Sequence, residues 1–160
     1  MKRGGIAGAL LAVATWLAVA NHLPAEAASG VSWSHPRTIT ASSGIRIAYP
    51  RAWTAFTTAP GSLVVASFAV PRDWPDRSRK RVPDGEVYMV IFTYGPAWKG
   101  YPAGRKPFEL RPEERGFYAC SLGLEGYRIL FTDEGRAMQA MIALGRGSDG
   151  ADALALLDRL

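Results

Sequence analysis

Few side chains in this chain could do chemistry, and their placement excludes more than it admits. There are two histidines, His22 and His35, and a single cysteine, Cys120. A Ser-His-Asp or Cys-His nucleophile needs an imidazole held rigidly against the attacking group, and a zinc site needs several His or Cys ligands. His35 stands beside Pro36 in an aperiodic stretch, so neither arrangement is expected from it and Cys120. Cys120 can be a buried small apolar residue, half of an intermolecular bridge, or a reactive thiol, and the last needs a neighbouring cation. Carboxylates are more plentiful: Glu113-Glu114, Glu125 and Asp133-Glu134. Two of them could act as acid and base on a sugar if they stood roughly 5–9 Å apart across a cleft. The spaced acidic loop of a calcium site is missing, and no metal site and no cofactor are expected.

One phosphate-binding pattern does occur. Gly145-Arg146-Gly147-Ser148-Asp149-Gly150 matches G-x-G-x-x-G. The dinucleotide fingerprint works only when a helix start faces the pyrophosphate inside a βαβ unit of about 30 residues, with an acidic residue about 20 positions further on. The chain ends at Leu160, so the pattern reads as a strand-to-helix turn with weak anion affinity at most.

Two segments carry the side chains most suited to binding. The first, residues 72–81, holds Arg77, Arg79, Lys80 and Arg81 beside Trp74. Arginine forks suit the phosphate or sulfate groups of an anionic polymer, although a charge run can equally be a solvated loop. The second, residues 94–102, sets Tyr94, Trp98 and Tyr101 on a Gly/Pro frame. Those rings can stack on sugar faces or an apolar partner, or they can lid the core beneath.

The elements that must position these segments follow from hydrophobic period. Gly44-Ile45-Arg46-Ile47-Ala48-Tyr49-Pro50 alternates, which predicts a strand with Ile45, Ile47 and Tyr49 on its buried face. Residues 53–58 continue in extended style, with Trp53 in the core, and Pro60-Gly61 supplies a turn. Residues 63–70 are apolar at nearly every position, which suits a central strand buried on both faces. Residues 71–84, with three prolines, form a long surface loop, and residues 86–94 return to strand composition until Gly95-Pro96. Short strands are expected at 108–110 and 115–120. Residues 127–132 and 136–144 flank Asp133-Glu134-Gly135; Met, Ala and Gln in the second arm favour helix by propensity, but a Gly-ended turn after a strand predicts a hairpin partner. Ser148 or Asp149 can cap a closing helix whose buried stripe is Ala153, Leu156, Leu157 and Leu160. The fold class expected is α+β, a mainly antiparallel sheet with a packed C-terminal helix.

The chain begins Met1-Lys2-Arg3, and residues 6–20 are uncharged and apolar, short of the roughly 20 residues a spanning helix needs. Ala25-Glu26-Ala27 then supplies an A-x-A cleavage pattern. Residues 1–27 thus read as a secretory signal peptide, residues 28–36 as a flexible arm that Trp33 can dock, and residues 37–160 as one globular domain. A single cysteine allows no internal disulfide, so stability must come from packing. The formal net charge of +5 falls by one when Lys2, Arg3 and Glu26 leave. A mildly basic exported protein meets wall polymers, lipid headgroups, acidic glycans or protein partners; nucleic acid is not an expected partner, and membrane contact is expected only if the signal is retained as an anchor.

The order of an extended segment ending Tyr49-Pro50-Arg51-Ala52-Trp53, two hydrophobic strands, a Gly-turned late hairpin and a helix closing on Leu156-Leu157-Asp158-Arg159-Leu160 resembles the PsbP-like family. That family comprises accessory proteins of photosystem II and similarly built bacterial exported proteins. Gly135-Arg136-Ala137-Met138-Gln139 and Ala143-Leu144-Gly145 are also similar to exported proteins of actinobacteria. The resemblance implies an α/β/α-type sandwich with a noncatalytic, partner-binding history, and it carries over no site residue. The function expected is a noncatalytic exported binding or accessory domain. It would meet an anionic envelope polymer or a protein partner through Arg77, Arg79, Lys80 and Arg81 and through Tyr94, Trp98 and Tyr101. The alternative is a small envelope-acting hydrolase using carboxylates.

Overall fold

The computed structural model describes residues 31–58, 61–71, 81–104, 106–118 and 124–160. The signal-peptide reading of residues 1–27, Pro60, the basic residues Arg77, Arg79 and Lys80, and Cys120 lie outside the described residues. Within them the chain forms β1 (Arg37–Thr40), β2 (Arg46–Tyr49), β3 (Thr54–Thr57), β4 (Leu63–Ala66), β5 (Val87–Pro96), β6 (Arg115–Tyr118), β7 (Leu124–Asp133), β8 (Arg136–Leu144) and α1 (Ala151–Leu157). All strand pairs are antiparallel. β1 and β2 form a separate hairpin, and the other six form one sheet in the order β3-β4-β5-β8-β7-β6. The architecture is α+β, a mostly antiparallel sheet with one short C-terminal helix.

β8 occupies the middle of the sheet despite its helix-forming composition. The turn before it decides this: Glu134 and Gly135 both have positive φ, 47° and 76°, the backbone of a two-residue turn whose twist matches a hairpin. Asp133 then faces Arg136, and the register runs on to Tyr127 opposite Ile142. On its other side β8 pairs with β5 from Leu144 opposite Val87 to Met138 opposite Thr93. Packing on both faces thus overrides propensity.

Alternation along these strands gives the sheet two apolar faces. On one, Leu63, Val65, Met89, Ile91, Ile129, Phe131, Met138, Ala140 and Ile142 meet Ile45, Ile47 and Tyr49 of the hairpin region, Trp53, and Ala153, Leu156 and Leu157 of α1. This is the main core. On the other face Val64, Tyr88, Val90, Met141, Ala143 and Leu124 are buried with Val82, and Phe68, Val70 and Phe92 pack against them. Burial pushes the Tyr88 phenol up to about 12.

Four expectations are corrected. The strand in 63–70 ends at Ala66, next to the edge strand β3, because its backbone turns away at Ser67. Ser67 instead caps β5: its hydroxyl accepts the Val87 N–H at 2.7 Å and donates to Glu86. β5 does not stop before Gly95-Pro96; the strand continues to Pro96 through a slip in register between Thr93 and Pro96. Residues 108–110 are not a strand. Phe108 is buried edge-on against Phe131, centroids 4.9 Å apart, and its N–H donates to Asp158 Oδ1 at 2.9 Å, which lays this segment along the end of α1. Finally, the helix N-cap is Gly150, with φ 79° and no side-chain cap bond, while Asp149 Oδ1 accepts the Ala151 N–H at 2.9 Å. The Trp33 ring lies 4.0 Å beneath the Arg159 guanidinium.

Candidate functional site

The long strands β5, β8 and β7 end in two different constructions. At the end where β8 finishes and β5 begins, two turns are stitched together by backbone. The Gly85 N–H donates to the Arg146 carbonyl at 2.8 Å, and the Gly145 N–H to the Glu86 carbonyl at 2.8 Å. Each turn also closes on itself, Glu86 N–H to Pro83 O and Ser148 N–H to Gly145 O, both at 3.1 Å. The approach is so close that a Cβ on Gly145 would lie 1.7 Å from the Pro83 carbonyl oxygen. On β7 a Cβ on Gly126 would lie 2.3 Å from the Ile142 carbonyl oxygen. These contacts are with backbone, which cannot swing aside as a side chain can. Only glycine fits at either position.

What these glycines bring together is a pocket of about 460 Å³ walled by Gly126, Gly145, Gly147 and Ser148 and rimmed by Arg81, Arg115 and Arg146. The three arginines arrive from three segments: the approach to β5, the start of β6, and the turn between β8 and α1. Asp84 and Glu125 also line it. Glu125 is held by the Arg115 Nε at 2.9 Å, with both side chains more than half exposed. Among the described residues Arg81 and Arg146 have no carboxylate at ion-pairing distance. Arg81 is the one member of the basic segment that the described residues place, and it lines this pocket.

The glycine-rich pattern therefore does not build a dinucleotide site. It follows a strand paired antiparallel on both sides and precedes a seven-residue helix, so there is no βαβ unit. Its first half instead supplies the stitched turn under the pocket.

At the opposite end of the same strands, about 20 Å away at ~3.3 Å per residue, residues 94–102 form an aromatic platform. Tyr94 donates its hydroxyl to Gln139 Oε1 at 2.9 Å, and Gln139 is one of the two buried polar residues of the described structure. Tyr101 donates to the Met138 carbonyl at 2.7 Å, beside the last paired residue before the register slip in β5. Burial raises the Tyr101 phenol, Tyr94 adds to that, and Arg128 opposes it. Trp98 meets Tyr101 edge-on with centroids 4.4 Å apart. Tyr94 and Trp98 are 55% and 58% exposed, so these two rings do not lid the core.

The candidate catalytic groups fare differently. His35 is exposed, with φ 55°. Asp133 and Glu134 both face Arg136, at 3.3 and 3.2 Å, and Glu113 and Glu114 sit in a 3₁₀ turn ahead of β6. Glu125, Asp133 and Glu134 are thus engaged by arginines. Among the described residues no three His, Cys, Asp or Glu side chains are grouped as metal ligands, and no helix is long and apolar enough to cross a membrane.

Sequence reading missed Arg115, Arg146 and the glycines beneath them as site residues. Gly145 was legible only as a turn, and the pairing of that turn with residues 83–86 is a tertiary fact without a local signal. No protein-family model matches the chain, and neither does any curated protein or solved structure.

Proposed function

We propose that this is an exported, noncatalytic binding domain that holds an anionic group of a cell-envelope component in the pocket between Arg81, Arg115 and Arg146. The observation that carries the reading is the convergence of these arginines on one pocket, two of them without a carboxylate at ion-pairing distance among the described residues. Guanidinium forks grip phosphate, sulfate or carboxylate oxygens by paired charge-assisted hydrogen bonds, and the stitched glycine turns fix the backbone under them. The signal-peptide pattern of residues 1–27 supports an extracytoplasmic setting, where wall polymers and acidic glycans are the abundant anions. The resemblance to the PsbP-like family, with its sandwich fold and partner-binding history, agrees with a domain that binds and does not turn over. The basic residues Arg77, Arg79 and Lys80 precede Arg81 in the sequence.

The test is co-sedimentation of the purified protein with isolated cell envelope over a salt series, beside the variant Arg81→Gln/Arg115→Gln/Arg146→Gln. Exposed charge pairs are screened as salt rises. Binding that weakens with salt and falls by roughly tenfold or more in the variant supports the reading, since a hydrogen bond to a charged group contributes about 1.5–3 kcal/mol. Equal retention of parent and variant would overturn it.

A further inference from the structure

The aromatic platform lies at the other end of the sheet from the arginine pocket and is a different kind of surface. We propose that Tyr94, Trp98 and Tyr101 form a stacking site for one or two rings of a neutral hexose-based glycan.

Three observations lead there. First, the rings are fixed before any ligand arrives. The hydroxyls of Tyr94 and Tyr101 are tied to Gln139 and to the Met138 carbonyl, and Trp98 rests edge-on against Tyr101. The loop that carries them is tethered as well: the Ala97 N–H donates to Gly135 O at 2.8 Å, the Tyr101 N–H to Trp98 O at 3.0 Å, and Thr132 Oγ1 to Pro102 O at 2.8 Å. A platform ordered in advance loses little entropy on binding. Second, the tyrosine hydroxyls are bonded inward, so what Tyr94 and Trp98 offer to solvent is chiefly ring surface. The C–H faces of a hexose are apolar and match such rings, while its equatorial hydroxyls point sideways to polar neighbours. Lys99 and Pro102 are exposed beside the rings, and Arg128 stands near enough to Tyr101 to act on its ionisation.

Third, the apolar area is small. Among the described residues only Phe56, Tyr94 and Trp98 are exposed large hydrophobics. A stable protein interface buries about 800 Å² on each partner around a cluster of apolar anchors, far more than two rings present. The area suits one or two sugar units, so the platform is assigned to glycan and not to a protein partner.

The proposal is tested by titrating the purified protein with soluble neutral oligosaccharides of N-acetylglucosamine and of glucose, following tryptophan fluorescence and heat. Saturable binding to at least one of them is expected. It should weaken roughly tenfold or more in Trp98→Ala, and by a similar factor in Tyr94→Ala, because each removes one stacking face. Trp98 is exposed, so its variant keeps the parent's melting curve, and a loss of binding there is not a loss of fold. Tyr101→Phe keeps the ring and removes the tether, and is expected to weaken binding by a smaller factor. The variant Arg115→Gln/Arg146→Gln should bind the neutral sugars as the parent does, which separates this site from the anion pocket. No binding of either sugar series, or binding unchanged in both Trp98→Ala and Tyr94→Ala, would overturn the proposal.

Discussion

The two ends of the central strands are built by opposite means. At the pocket end, charge is gathered: Arg81, Arg115 and Arg146 come from distant parts of the chain and meet because glycine turns are sewn together under them. At the platform end, shape is presented by residues close in sequence: Tyr94 and Tyr101 are fixed by hydroxyl bonds to β8, and Trp98 rests edge-on against Tyr101. The pocket depends on backbone contacts between turns distant in sequence, whereas at the platform end the Trp98 ring is exposed and lies beyond the end of β5. Substitutions at the two ends test that difference.

The largest effect is expected from Gly145→Ala. Its new Cβ would meet the Pro83 carbonyl, so the two turns must separate, and overpacking against backbone costs about 3 kcal/mol or more. Urea denaturation measures this directly. Trp98→Ala at the other end should shift stability by about 0.5 kcal/mol or less. Equal stabilities for these two variants would remove the contrast.

A pH effect belongs to the pocket end too, because Tyr88 is buried one residue into β5. Its phenol is raised by desolvation from 10.0 to about 12. Below pH 10 the group is neutral in both folded and unfolded chains and the shift contributes no pH dependence. Between pH 10 and 12 the unfolded chain loses the proton while the folded one keeps it, so stability falls as pH rises through that window. Tyr88→Phe should lose less stability over the same range in parallel denaturation curves.

Tyr101→Phe comes next. Loss of the hydroxyl donated to Met138 leaves a buried carbonyl without that partner, a cost of about 1 kcal/mol or more in thermal or chemical denaturation. A small change in stability is expected for Glu125→Gln. The ion pair with Arg115 is exposed on both sides and contributes less than about 1 kcal/mol, but removing the carboxylate releases Arg115 and should strengthen anion binding severalfold in the envelope assay. Unchanged or weaker binding in Glu125→Gln would place the anion elsewhere.

Much of this fold was legible because its signals are local. Alternation gave Ile45, Ile47 and Tyr49 their common buried face, Glu134-Gly135 gave the hairpin, and the spacing of Ala153, Leu156 and Leu157 gave the helix stripe. The platform was legible for the same reason, as three rings on a Gly/Pro frame. Phe108 misled because its burial comes from α1 and Phe131 across the fold, and an apolar residue in a short run looks like a strand whatever buries it. The pocket was illegible as a whole. Arg81 was visible within a basic run, but Arg115 and Arg146 are ordinary surface arginines until the sheet order places β6 beside β7 and the backbone bonds bring residues 83–86 against 145–148.

Anion binding at the pocket is tested by following the arginine Nε–Hε resonances of the purified protein while a phosphate-bearing wall polymer is titrated in. The pocket reading expects saturable shifts at Arg81, Arg115 and Arg146, lost at high salt, with the exposed arginines Arg37 and Arg51 unmoved. Shifts no larger at the three pocket arginines than at Arg37 and Arg51 would contradict it.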